Sequence, residues 1–137
     1  MSTSIYKLVT ELKERTAWQR TPEPIDDEQY TSMIVRGIKR LYIDTGRAQS
    51  FRDDLVNHDT LEFLAELLID EEAYVLICAQ LEFFKRVQND VNNIVGYTTD
   101  ALTVTNADKP YAHLQDTIGC LEQDRRITYY KMIRYAM

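Results

Sequence analysis

Residues 109–137 read Lys109-Pro-Tyr-Ala-His-Leu-Gln-Asp-Thr-Ile-Gly-Cys-Leu-Glu-Gln-Asp-Arg-Arg-Ile-Thr-Tyr-Tyr-Lys-Met-Ile-Arg-Tyr-Ala-Met137. Asp108 can cap a helix here, and Pro110 falls in the first turn, where its missing N–H costs nothing. Leu114, Ile118, Leu121, Arg125, Thr128, Met132 and Tyr135 recur at alternating intervals of four and three, a packing seam whose middle is polar at Arg125. The spacing predicts a helix from Lys109 to about Tyr135, roughly 27 residues and ~40 Å long. Its last turns are unusually aromatic. Tyr129, Tyr130, Met132, Ile133, Arg134, Tyr135 and Met137 cannot share one stripe, and a chain end frays unless something ties it down. Tyr, Met and Arg are the types enriched in interface cores. Residues 127–137 are therefore expected to be a partner-docking helix end, with burial under other helices of the same chain as the alternative. On the docking reading, deleting Tyr129–Met137 abolishes partner binding and leaves a folded domain.

The stretch before this helix has a different period. Asn92-Asn93 is expected to stop the preceding helix. Ile94-Val-Gly-Tyr-Thr98, a Thr99-Asp100 turn and Ala101-Leu-Thr-Val-Thr105 alternate β-branched residues with others, which predicts a short β-hairpin or extended loop at about 94–105. A lone hairpin is marginal in water, so it needs a partner in this chain or a neighbour.

Further upstream the pattern is helical. From about Glu71 to Asn89 apolar residues cover nearly every face, which suits the centre of a bundle or an oligomer contact. Asp59 or Thr60 is expected to cap a segment with the stripe Leu61, Leu64, Leu67 and Leu68, divided from the next helix near Ile69 by the acids Asp70-Glu-Glu72. Residues 47–59 read as a polar loop anchored by Phe51 and Leu55. A helix from Asp26 or Asp27 to about Asp44 buries Tyr30, Ile34, Ile38, Leu41 and Tyr42 and ends at Gly46. Thr21-Pro-Glu-Pro-Ile25 separates it from a first helix, Ile5 to about Trp18, capped by Thr3 or Ser4. That helix has a narrow stripe and belongs on the outside. The expected fold is mainly α: one domain over 1–137, a small helical bundle with a long C-terminal helix.

The totals exclude several functions. The 137 residues suffice for one self-supporting core. A net charge of −6 disfavours coating DNA, which takes Lys and Arg. Cys78 and Cys120 sit in apolar patterns and read as two buried small hydrophobes. No apolar run approaches the ~20 residues of a membrane span, and Met1–Val9 shows no signal-peptide core. His58 and His113 lack ligands at metal-site spacing, and no glycine-rich phosphate loop is present. Ser32 and Ser50 have no base nearby in sequence, and Glu62/Glu66 and Glu71/Glu72 read as solvated faces. Arg36, Lys39, Arg40 and Arg47 read as a cluster that meets acids of the fold or a partner in preference to phosphate. No catalytic residue, metal or cofactor is expected.

Three segments together carry a family resemblance: the apolar helix around Ala73–Phe84, the Gly96-Tyr-Thr-Thr-Asp-Ala-Leu-Thr-Val-Thr105 segment, and Lys109-Pro-Tyr-Ala-His-Leu114 opening a long terminal helix. They resemble the head-to-tail connector, or adaptor, proteins of tailed double-stranded DNA bacteriophages and related contractile particles. The first half of the chain matches only in size and helical character. The resemblance implies a virion structural protein in the neck, made in the host cytoplasm, whose copies form a ring, typically a dodecamer, on the portal protein. The ring extends the DNA channel, lets DNA pass without sequence-specific binding, and gives the tail terminator or a stopper protein a platform. By position, portal contact falls on Tyr129, Tyr130, Met132, Ile133, Arg134, Tyr135 and Met137. Contact with a neighbour or the tail side falls on Tyr97, Thr98, Asp100, Leu102 and Val104. The alternative is a small intracellular helical regulator or adaptor that docks a host protein through the same helix end.

Overall fold

The computed structural model of the chain describes residues 2–19, 21, 24–98 and 108–136, with backbone alone over 91–98, 108–112 and 134–136. Four helices, α1 (Ile5–Thr16), α2 (Asp27–Asp44), α3 (Ile69–Thr98) and α4 (Asp108–Ala136), form a small helical bundle. A three-stranded antiparallel sheet of two-residue strands joins them: β1 (Thr3–Ser4), β2 (Val56–Asn57) and β3 (Glu62–Phe63), with β3 central.

Local chemistry sets the helix starts. The Ser4 hydroxyl accepts from the Lys7 N–H at 3.2 Å. Asp26 accepts from the Gln29 N–H at 2.8 Å while the Gln29 side chain accepts from the Asp26 N–H at 3.0 Å, a full capping box. α2 ends where Gly46 takes a φ of +74°, a conformation that glycine reaches without strain.

Contacts along the helices fix their directions. Lys13 pairs with Asp27 at the α1–α2 corner. Asp44 meets Tyr74 and Arg36 meets Glu82, so α2 and α3 are antiparallel. Tyr74 packs on Tyr129 and Lys85 pairs with Glu122 at 3.4 Å, so α3 and α4 are antiparallel. α3 is the central helix, touching the other three, and it contributes Tyr74, Val75, Leu76, Ile77, Ala79, Leu81, Phe83, Phe84 and Val87 to the core. Its apolar faces are explained by that position. α1 buries only Ile5, Leu8, Val9, Leu12 and Thr16 and lies outside, as its narrow stripe predicts. It stops at Thr16, short of Trp18, whose ring lies half-exposed against Phe84 at 5.4 Å.

Three expectations are corrected. Residues 59–69 are not a helical segment. The Asn57 side chain accepts from the Asp59 and Thr60 N–H groups, which makes a tight turn, and the chain returns as β3 between β1 and β2. Phe63 is fully buried, and Leu61 takes a φ of +53° so that its carbonyl accepts the first N–H groups of α1, from Ile5 and Tyr6. The Thr3 hydroxyl donates to the Ala65 carbonyl and accepts from the Leu67 N–H. These tertiary partners outweigh the leucine spacing. Helix α3 does begin at Ile69.

The second correction concerns the hairpin. α3 continues through Asn92-Asn93 to Thr98, so 94–98, with Tyr97 and Thr98, are helical and not extended. The penalty of Asn or a β-branched residue in a helix is only about 0.5 kcal/mol, and each residue added to a formed helix gains a backbone hydrogen bond. Asp100, Leu102 and Val104 lie outside the described residues. The third concerns the thiols: Cys78 is half-buried, but Cys120 is exposed.

Candidate functional site

Three helix termini meet at one end of the bundle: the end of α2, the start of α3 and the end of α4. The Tyr74 hydroxyl donates to the Asp44 carboxylate, which also accepts from Arg40 Nε at 3.1 Å. Burial first, and the Asp44 hydrogen bond second, raise the Tyr74 phenol well above its usual range, so it stays protonated. Tyr129 packs against Tyr74 with ring centroids 6.5 Å apart, and Tyr130 stands edge-on to Tyr129 at 5.9 Å. Arg47 pairs with Glu71 and lies over the Tyr42 ring at 4.7 Å, which pins the loop after α2 to the start of α3.

The seam read from the sequence is the buried side of α4. Leu114, Ile118 and Met132 are buried, and Leu121 and Tyr129 pack against the core. Of the residues assigned to docking, Met132 therefore lies inside this chain, and Tyr129 and Ile133 are half-buried. Tyr130 is 63% exposed, and Ile127, one turn before it, is 46% exposed. Arg134 and Tyr135 lie on the helical backbone of α4, and Met137 is outside the described residues.

The same bundle end carries other uncovered apolar groups. Ile43 closes α2, and Leu68 and Ile69 open α3, the last 87% exposed. With Ile127 and Tyr130 they make five of the eight large apolar side chains that stand exposed among the described residues. Sequence reasoning identified the α4 members from their aromatic excess. It missed the other three because Leu68 belongs to the expected leucine stripe while Ile43 and Ile69 stand at expected helix ends, and only the assembled bundle leaves all three uncovered.

Elsewhere the polar groups are mostly matched. Arg36, Arg40 and Arg47 pair with Glu82, Asp44 and Glu71, so three members of the basic cluster meet acids of their own fold, while Lys39 has no ion pair among the described residues. His58 lines an open depression of about 550 Å³ with Asp27, Glu28, Thr31 and Ser32. Among the described residues no hydrogen bond links His58 to Ser32 or to either acid, and Asp27 is held by Lys13. His113 stands edge-on to Trp18 at 5.6 Å. No group of three or more His, Cys, Asp or Glu among the described residues is placed to hold a metal, and no helix among them is long and apolar enough to cross a membrane.

No family model, curated protein or solved structure matches the chain.

Proposed function

We propose that this chain is a virion structural protein of the head-to-tail connector type, which assembles as a ring on a portal protein through the bundle end that carries Ile127 and Tyr130. The observation that carries the reading is the gathering of Ile43, Leu68, Ile69, Ile127 and Tyr130 at that end. Exposed apolar groups gathered at one end of a bundle suit an interaction site, and Tyr is favoured in such contacts. At the same end, the Tyr74–Asp44–Arg40 network and the Tyr74–Tyr129 packing tie α2, α3 and α4 together, which favours docking with little reordering.

In this role the ring would continue the DNA channel and give a terminator or stopper protein its platform. The predominance of acids over bases suits a channel wall that repels phosphate. Tyr97, Thr98, Asp100, Leu102 and Val104, at and after the end of α3, are proposed for the neighbour or tail-side contact. Co-purification with the portal protein encoded in the same genome, followed by electron microscopy, tests this. A ring of this chain on the portal is expected. A chain that stays apart from the portal at high concentration contradicts it.

A further inference from the structure

Charge is strongly segregated on this molecule. α4 packs on α3 and barely touches α2, so a groove runs between α2 and α4 with α3 as its floor. Two depressions of about 290 and 810 Å³ form it, sharing Arg40 and Arg125. Six cations line the groove: Arg36, Arg40, Lys85, Arg86, Arg125 and Arg126. Three carboxylates, Glu82, Asp44 and Glu122, answer them, each already paired with one cation. Arg86, Arg125 and Arg126 have no ion pair among the described residues. Arg125 is half-buried beside Tyr74 and Cys78, and its charge acts on both.

Of the chain's 16 Lys and Arg and 22 Asp and Glu, removing these six and three leaves ten cations against nineteen acids elsewhere. The excess is concentrated. From Asp53 to Phe84 there are eight Asp or Glu besides the groove's Glu82, and no Lys or Arg. Asp53, Asp54, Asp59, Glu62 and Glu66 stand on the loop-and-sheet segment, all but Glu62 exposed, and Leu64 beside them is exposed too. That segment is tied to β1 and the start of α1, and its His58 and Leu61 line a separate depression along α2 that reaches Arg36. Held there by the sheet, it contributes no residue to the lining of its own groove.

We infer that the α2–α4 groove receives the acidic 53–66 segment of a second copy of this chain. The occupant follows from charge complementarity: on one surface, three arginines without an ion pair among the described residues, and on the other, five acids of which only Asp54 meets a cation, the nearby Arg52 at 3.5 Å. Because the two surfaces differ, the contact is heterologous and propagates head to tail, which closes into a ring when the rotation permits. The inference rests on the ring reading above and supplies the contact between copies.

Charge exchange tests it on the full chain. One variant carries Arg86→Glu and Arg126→Glu, the other Asp59→Lys and Glu66→Lys. Self-association is followed by analytical ultracentrifugation at about 0.01 M salt, where screening extends ~30 Å. The parent should associate, and each variant alone should associate at least about tenfold more weakly, since like charges then face each other. Mixing the two variants should restore association, because each groove then meets a segment of opposite sign. Circular dichroism checks that both remain helical. Variants that associate like the parent, or a mixture that fails to recover, overturn the contact and leave portal docking untouched. A parent that stays monomeric, or that instead binds a DNA duplex through Arg86 and Arg126, overturns it as well.

Discussion

Gly37 of α2 lies directly against the Val75 carbonyl of α3, so that a Cβ at position 37 would stand 2.8 Å from the oxygen and 3.1 Å from Val75 Cγ1. The opposing atom is backbone and cannot swing aside, so this contact sets how closely α2 approaches the central helix. Gly37→Ala gains about 1 kcal/mol of helix propensity but forces the helices apart at a cost of up to about 3 kcal/mol. Chemical denaturation should show a net loss of about 1–2 kcal/mol.

The small sheet is energetically tied to the core through Phe63, whose ring stacks with Phe51 at 6.4 Å and meets Tyr42 edge-on at 5.9 Å. Phe63→Ala should cost about 3–5 kcal/mol in the same measurement. Leu64→Ala, next to it and exposed, should change stability by less than about 0.5 kcal/mol. Were 59–69 a helix with the leucine stripe buried, Leu64→Ala would be among the more damaging changes.

The two thiols should react at very different rates. Cys120 is exposed, whereas burial pushes the Cys78 thiol up to about 11 against the opposing influence of Arg125. At pH 8 only about one Cys78 in a thousand is thiolate. A disulfide-exchange reagent should titrate one thiol quickly and the second slowly, and Cys120→Ser should remove the fast phase.

Alkaline stability follows from Tyr74 and Cys78. Both hold their protons more tightly in the native state than at their ordinary values of 10.0 and 9.0. The native chain therefore binds more protons than the unfolded one above about pH 9, and stability falls as pH rises through that window. Below it the contribution is fully present. Tyr74→Phe should lose about 1 kcal/mol at neutral pH, from the hydrogen bond to Asp44, and flatten the decline above pH 10.

How much of this was legible in the sequence varies by element. α1, α2 and the start of α3 could be read because Ser4, Asp26 and the acids from Asp70 are local signals beside a stripe. The α4 seam could be read because seven positions alternate intervals of four and three. The sheet could not: two-residue strands carry no period, and what holds them is Thr3 reaching Ala65 and Leu67 from more than sixty residues away. The extension of α3 past Asn93 was masked by weak β-type propensities. At the candidate site, the aromatic excess of α4 was visible, but Asp44 meeting Tyr74 and the exposure of Ile69 depend on which helix ends adjoin. The unpaired Arg125 showed only as a polar break in an apolar seam.

The bundle end also changes how docking must be tested. Deleting Tyr129–Met137 would remove Met132 from the core and Tyr129 from Tyr74, so the shortened chain is expected to lose stability as well as binding. Substitutions at Ile127 and Tyr130 separate the two effects, since both side chains are exposed. The most direct measurement is the native mass of portal protein mixed with this chain, parent or carrying Ile127→Asp and Tyr130→Asp. A discrete complex with many copies of the parent per portal is predicted, with the double variant folded but absent from it. Portal and parent chain recorded as separate species at every concentration, or a complex indifferent to the two substitutions, would contradict docking through this end.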